Sequence, residues 1–200
     1  MKQDLSMLDI VIHYINIVNS NRNNVESYEV HKNSALYLLK QTVRHLVVPK
    51  EKYFLSEAAK EIWCKIRTPS DDIYRYWYRD TVTKTTEGEI SVQLYKGASK
   101  LPYQTRTLNK GDKFIFKDVF HDDHIIPIKL IIKRLLNLKY PTRQNVRDVL
   151  ENISVCRMLK SEDRKITEKH NRPFNEEEII EKIYGNNDIR ISDYKMQYTY

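Results

Sequence analysis

The sequence predicts an α+β protein, with a helical N-terminal lobe followed by a mixed lobe. Three observations carry this. Apolar residues recur at helical spacing through the first eighty positions. Strong β-formers around glycine-containing turns begin near Thr81. An aromatic and β-branched run, residues 113–120, then leads through His121-Asp122-Asp123-His124 into a second helical pattern.

Taken in order, residues 5–19 form a helix whose face is marked by Leu5, Leu8, Ile12, Ile15 and Val18, widened by Ile10, Val11 and Ile17. A polar breaker at 19–24 separates it from a second helix, 28–47, with Ala35, Leu36, Leu39, Val43 and Leu46 inward and Pro49 as its stop. Ser56-Glu57 caps a third helix, 58–66, closed by Pro69. Ser70-Asp71-Asp72 caps a short helical piece, 73–80. Residues 82–86 and 89–95 pair as a hairpin around Gly88. A loop at 96–102 and a turn at 109–112 lead into the strand ending at Phe120, and a helix follows over 125–138. Residues 173–183 form a capped helix packing Ile179, Ile180 and Ile183. The division is a helical lobe, 1–80, as a DNA-binding or dimerisation candidate, an α+β lobe, 81–185, and a polar, Tyr-rich tail, 186–200, with little to order it.

Composition narrows the function classes. Two hundred residues suffice for a proper core, and the net charge of +7 points to a polyanionic partner, nucleic acid before an anionic membrane. Cys64 and Cys156 stand far apart with no C-x-x-C pair, which argues against a zinc ribbon or a disulfide scaffold and fits a reducing cytoplasmic compartment. No apolar run is long enough to span a bilayer, and the first residues carry no secretory cleavage pattern.

The segment Asp123-His124-Ile125-Ile126-Pro127 resembles the first motif of the HNH, or ββα-metal, endonucleases. In that family an Asp and the adjacent His end the first strand of a hairpin, an Asn stands on or before the second, and a metal ligand sits early in a closing helix. Residues 152–159, opening with Asn152, resemble the second strand, and residues 160–166 the closing helix. The resemblance spans residues 111–170. It departs from the family in the long gap between His124 and Asn152, filled by a helical insertion, and in having no His or Asn at the third position. Glu162 and Asp163 are the carboxylates available there, either of them a hard oxygen ligand suited to Mg²⁺. Asn145 is a rival to Asn152 but precedes a helical pattern.

The resemblance implies metal-dependent phosphodiester hydrolysis leaving a 5′-phosphate. His124 is then the general base, Asn152 a positioning group, and Asp123 with Glu162 or Asp163 the ligands of Mg²⁺ or Mn²⁺. His121 and Asp122 are neighbours of undecided part. The compact chain most resembles a small type II restriction endonuclease, acting as a homodimer on a short palindrome in double-stranded DNA beside a cognate methyltransferase. A homing-type or phage nicking enzyme and a non-catalytic DNA-binding protein with a degenerate HNH fold are the alternatives.

Basic residues flank the motif. Residues 96–117 hold six Lys or Arg against one acid, and residues 129–147 hold six against none. Such runs supply sequence-independent phosphate affinity, although a solvated face is the plainer explanation of a charge run. The DNA-contact candidates are Arg75, Arg79, Lys100, Arg106, Lys110, Lys129, Lys133, Arg134, Arg143 and Arg164. Residues 73–79 interleave aromatics with arginine, a pattern that suits either base stacking or a short core helix.

Overall fold

The computed structural model describes residues 5–20, 28–46, 48–68, 70–167 and 172–192. It is a mixed helix-and-strand protein. The chain forms two compact units that interleave in sequence: one of residues 1–52, 124–154 and 170–176, the other of residues 53–123, 155–169 and 177–200. The spatial division therefore does not follow a cut at residue 80. The sequence change there is one of local propensity, whereas the units are defined by which distant segments share a core. Residues 1–4, the breaker at 21–24, Val47, Pro69, His170 and the end of the tail from 193 lie outside the described residues.

The first unit is helical. Helices α1 (Leu5–Ser20) and α2 (Tyr28–Arg44) pack on each other and on α5 (Ile128–Leu136), while α6 (Arg143–Leu150) packs on α1 and α5. Leu8, Val11, Ile15 and Val18 are buried at alternating three- and four-residue steps, a seam suited to helix–helix packing. Val11 rather than Ile12 lies on that seam. Ala35, Leu39 and Val43 face it from α2, and Ile128, Ile131, Ile132 and Leu135 from α5. Helix α5 starts after Pro127 and not at Ile125, because proline disfavours helical backbone in the residue before it. Arg143 clamps α6 to α1 through two hydrogen bonds to the Asp9 carboxylate, 2.9 and 2.8 Å.

The second unit carries a four-stranded sheet in the order β6-β7-β1-β8, built from β1 (Tyr53–Ser56), β6 (Phe120–His124), β7 (Val155–Leu159) and β8 (Ile191–Ser192). The unit boundary falls just before the last residue of β6. Strand β1 runs parallel to β7 and antiparallel to β8, so residues 191–192, expected in the tail, belong to the sheet. Ser56 caps α3 (Glu57–Ile66) by accepting the Ala59 N–H at 3.1 Å, as its position predicts. Asp72 likewise caps a 3-10 turn, Ile73–Arg75. That turn stops short of Asp80 because the Asp80 carboxylate takes the Trp77 N–H at 2.7 Å, in place of a helical carbonyl.

Strands β2 (Thr81–Thr83) and β3 (Ile90–Leu94) do not pair as a hairpin. Strand β2 pairs with β5 (Lys113–Ile115), and β3 with β4 (Gln104–Leu108). Backbone bonds from Lys84 to Asp112 and from Gly111 to Lys84 draw the 83–88 segment toward the 109–112 turn. The buried Lys84 ammonium is satisfied there by the carbonyls of Thr86 and Glu87 and the Thr86 hydroxyl. The predicted strand 113–120 is broken by a helical turn, α4 (Phe116–Val119). Phe116, Val119 and Phe120 are buried at the helical spacing i, i+3, i+4. Phe116 stacks on Phe120 at 4.8 Å, and Trp63 meets both edge-on.

Candidate metal centre

Strand β6 enters the sheet from α4 and projects its side chains alternately to the two faces, so His121 and Asp123 share one face and Asp122 takes the other. Strand β7 ends at Leu159, where α7 (Lys160–Asp163) begins and presents Asp163 to that first face. His121, Asp123 and Asp163 each place one ligand atom within 4.8 Å of the others. The His121 Nε2 lies 3.6 Å from Asp163 Oδ1, longer than a hydrogen bond. Asp163 is fully buried, and His121 is about one-third exposed, so the group opens to solvent on the histidine side.

Second contacts fix both carboxylates. The Tyr184 hydroxyl donates to Asp123 Oδ2 at 2.7 Å, and Arg164 Nη1 lies 3.1 Å from Asp163 Oδ2. Tyr184 is buried at the end of a π-helical turn, Ile179–Tyr184, and not in the regular helix that the 173–183 pattern predicts. The wider turn carries Tyr184 inward together with Ile183, and such turns recur at functional sites.

Glu162 has a different task. Its carboxylate accepts the Ser56 hydroxyl at 2.6 Å and the Leu159 N–H at 2.8 Å, which ties β1 to the start of α7. Burial pushes its pKa up, while the Ser56 and Leu159 hydrogen bonds pull it down, and burial wins. Of the two carboxylates left open by the sequence, the geometry brings Asp163 to the cluster.

Asp122, on the other face, receives Arg157 in two-pronged fashion at 2.6 and 2.8 Å. Arg157 also donates to the Ile73 carbonyl and lies over the Tyr74 and Phe116 rings. Burial works to lower the Arg157 pKa, but the Asp122 hydrogen bonds and charge raise it overall. Removing one partner of a buried pair costs roughly 3–5 kcal/mol. Because Asp122 is 41% exposed, screening reduces the expected loss for Asp122→Ala to about 2 kcal/mol. Urea unfolding measures it, and a change below about 0.5 kcal/mol would show that the pair contributes no more than an exposed one.

The remaining predicted residues fall as follows. His124 ends β6 and belongs to the helical unit, where its carbonyl accepts a 3.1 Å hydrogen bond from the buried Arg172. Asn152 does not open β7, which starts at Val155. Its amide instead donates to the Asp148 and Val149 carbonyls at the end of α6. Asn145 forms a capping box with Thr142 at the start of α6. Arg106 is paired with Asp112, Lys110 with Glu87, and Arg164 with Asp163 and the Gly97 carbonyl. Arg134 covers the Phe174 ring at 3.7 Å, and Arg143 is held by Asp9. Arg75, Arg79, Lys100, Lys129 and Lys133 are exposed, as are Trp77 and Tyr78, which are therefore not core residues.

Sequence reasoning left His121 undecided and missed Tyr184 and Arg172. Two-residue strand alternation pairs His121 with Asp123 once 120–124 is read as a strand. Tyr184 gives no such signal, because it lies sixty-one positions from its partner.

The donor set of one imidazole and two carboxylates fits a divalent ion. The oxygens suit Mg²⁺, and the added nitrogen suits Mn²⁺ or another first-row metal at least as well. Among the described residues, no helix is long and apolar enough to cross a membrane. Comparison with family profiles, with characterised proteins and with solved structures finds no match.

Proposed function

We propose that this protein is a metal-dependent endonuclease of the HNH type, hydrolysing phosphodiester bonds of double-stranded DNA in the manner of a small type II restriction enzyme. The observation that carries the reading is the convergence of His121 and Asp123 from β6 with Asp163 from α7. Strand, strand and short helix follow the order that the HNH resemblance implies. Asp122 lies across from Arg157, and Ile125 donates to the Ser154 carbonyl at 3.1 Å. Numbers thus rise on one strand as they fall on the other, which supports an antiparallel hairpin. The helical insertion α5–α6 is the excursion between its strands.

In this reading Asp123 and Asp163 hold a Mg²⁺ or Mn²⁺ ion with His121 as a third donor. A bound divalent ion supplies charge neutralisation at the scissile phosphate and its leaving oxygen. The HNH resemblance makes His124, next to Asp123 in sequence, the group that accepts the proton of the attacking water. Tyr184 and Arg164 keep the two carboxylates in place. The Asn152 amide is taken up by the end of α6, so its part is to hold the turn before β7 and not to touch substrate. The net charge of +7 provides the attraction for the polyanion. A homodimer on a palindromic site, with a cognate methyltransferase protecting it, completes the restriction-enzyme proposal.

Plasmid DNA incubated with the protein and Mg²⁺ or Mn²⁺ is expected to be cut, with 5′-phosphate ends and discrete fragments, and chelation with EDTA is expected to stop it. Sequencing of the ends reports site and strand number together. A plasmid left intact with both metals would remove the enzyme reading and leave the non-catalytic DNA-binding alternative, favoured by the third-motif departure. Single-strand nicks alone would favour a nicking enzyme.

A further inference from the structure

The β3–β4 ribbon has a feature that the metal centre does not use. Along β3 the residues alternate buried and exposed, with Ser91 and Gln93 outward. Their cross-strand partners on β4 are Thr107 and Thr105, both exposed. Paired residues on an antiparallel ribbon share a face. These four paired positions of the outer face carry small or medium polar side chains without charge. Gln93 is pre-oriented, because its Oε1 accepts the Tyr95 hydroxyl at 2.8 Å. The chain from Ser91 to Thr107 includes Lys96, Lys100 and Arg106 and no acid, and Lys96 and Lys100 lie exposed in the loop joining the strands.

The ribbon is also bolted to the metal-centre helix. Lys160 of α7 donates to the Tyr95 carbonyl at 3.3 Å, and Arg164 donates to the Gly97 carbonyl at 2.7 Å while its other nitrogen holds Asp163. An open cavity of about 300 Å³ lies between Ser91, Gln93 and Thr105 of the ribbon and Ser161 of α7, with the apolar Ile62, Val119 and Leu159 also in its wall. A ligand lying along the ribbon is thus led to the helix that carries Asp163.

We propose that the β3–β4 ribbon is the surface that reads duplex DNA. Ser91, Gln93, Thr105 and Thr107 meet base edges in the major groove, and Lys96 and Lys100 meet phosphates. A two-stranded ribbon fits the B-form major groove, where hydroxyls and carboxamides match the donor and acceptor pattern of the bases. Five residues per strand span about 17 Å. The deep, narrow major groove of A-form RNA does not admit a ribbon, so the partner is DNA. The choice of DNA rests on the nuclease reading, but the surface is tested by binding, independently of cleavage.

The full chain, with Ca²⁺ replacing Mg²⁺ to prevent cutting, is allowed to select from a pool of random DNA duplexes, and the bound fraction is sequenced. The wild type is expected to enrich a short motif and to prefer DNA over duplex RNA. Gln93→Ala combined with Thr105→Ala is expected to lose roughly tenfold of the preference at the positions it reads, with binding to unselected duplex kept. Ser91→Ala with Thr107→Ala, on the same face, gives a second pair should the first fail to fold. Lys96→Ala with Lys100→Ala is expected to weaken all sequences alike and to reduce the slope of log affinity against log salt by about 1.8. The proposal is overturned if the wild type enriches no motif or binds duplex RNA equally, or if a folded face variant enriches the wild-type motif with unchanged preference. Selective binding without cleavage in Mg²⁺ or Mn²⁺ would instead overturn the nuclease reading and leave the ribbon standing.

Discussion

Asp163→Asn is expected to abolish metal-dependent cleavage, with a loss of more than about 100-fold, since removing an outer contact to a metal ligand already costs 10–100-fold in affinity or activity. Isothermal titration with Mn²⁺ should show the same loss in binding. Glu162→Gln, one residue earlier, should retain both, because its side chain bonds to Ser56 and the Leu159 N–H and not to the cluster. The contrast separates a ligand from a structural carboxylate. Glu162 also makes a signed prediction about stability. Its pKa is raised in the folded state, so its contribution is fully present below the ordinary value of 4.5 and is lost as pH rises through the raised value. Glutamine carries no such charge. The melting temperature of Glu162→Gln relative to wild type should therefore increase as pH is raised from 4 toward 7. A difference independent of pH would contradict the assignment of burial as the dominant cause.

His124→Ala is expected to reduce the cleavage rate by about 10²–10⁴-fold, the range for loss of a general base, while Mn²⁺ affinity stays near wild type. The acid limb of the pH–rate profile should disappear with it. His121→Ala makes the complementary case, with a weakened metal affinity as its primary effect. If His121→Ala removes the acid limb and His124→Ala does not, the base is His121, and the ion is held by the two carboxylates alone. Melting curves for both variants guard against simple unfolding, since His124 lies on an anchored backbone at the end of β6.

Much of this was written locally. The seam of α1 and the Ser56 and Asp72 caps follow from spacing and side-chain chemistry within a few residues, whereas a strand ending at His124 was implied only by the HNH resemblance. The sequence also named Asp123 and a carboxylate at the start of α7. Other parts were not legible. The partners of β2 and β3 depend on backbone bonds between 83–88 and 109–112, and propensity cannot specify a partner tens of residues away. The aromatic run 113–120 has strand-forming residues throughout, yet burial of Phe116, Val119 and Phe120 on Trp63 winds its second half into a helical turn. Tertiary packing overrode propensity there.

The sequence by itself determined the residue types at the centre, the basic charge that suits a polyanion, and the local caps and helical faces. Only the tertiary structure decided which of those residues meet. It chose Asp163 over Glu162 because Ser56 and the Leu159 N–H occupy the latter. It brought Tyr184 to Asp123 across sixty-one positions. It also placed the ribbon β3–β4 against α7 through Lys160 and Arg164. Each of these depends on a long-range contact whose formation repays loop closure only when the whole core assembles, so no window of sequence contains it.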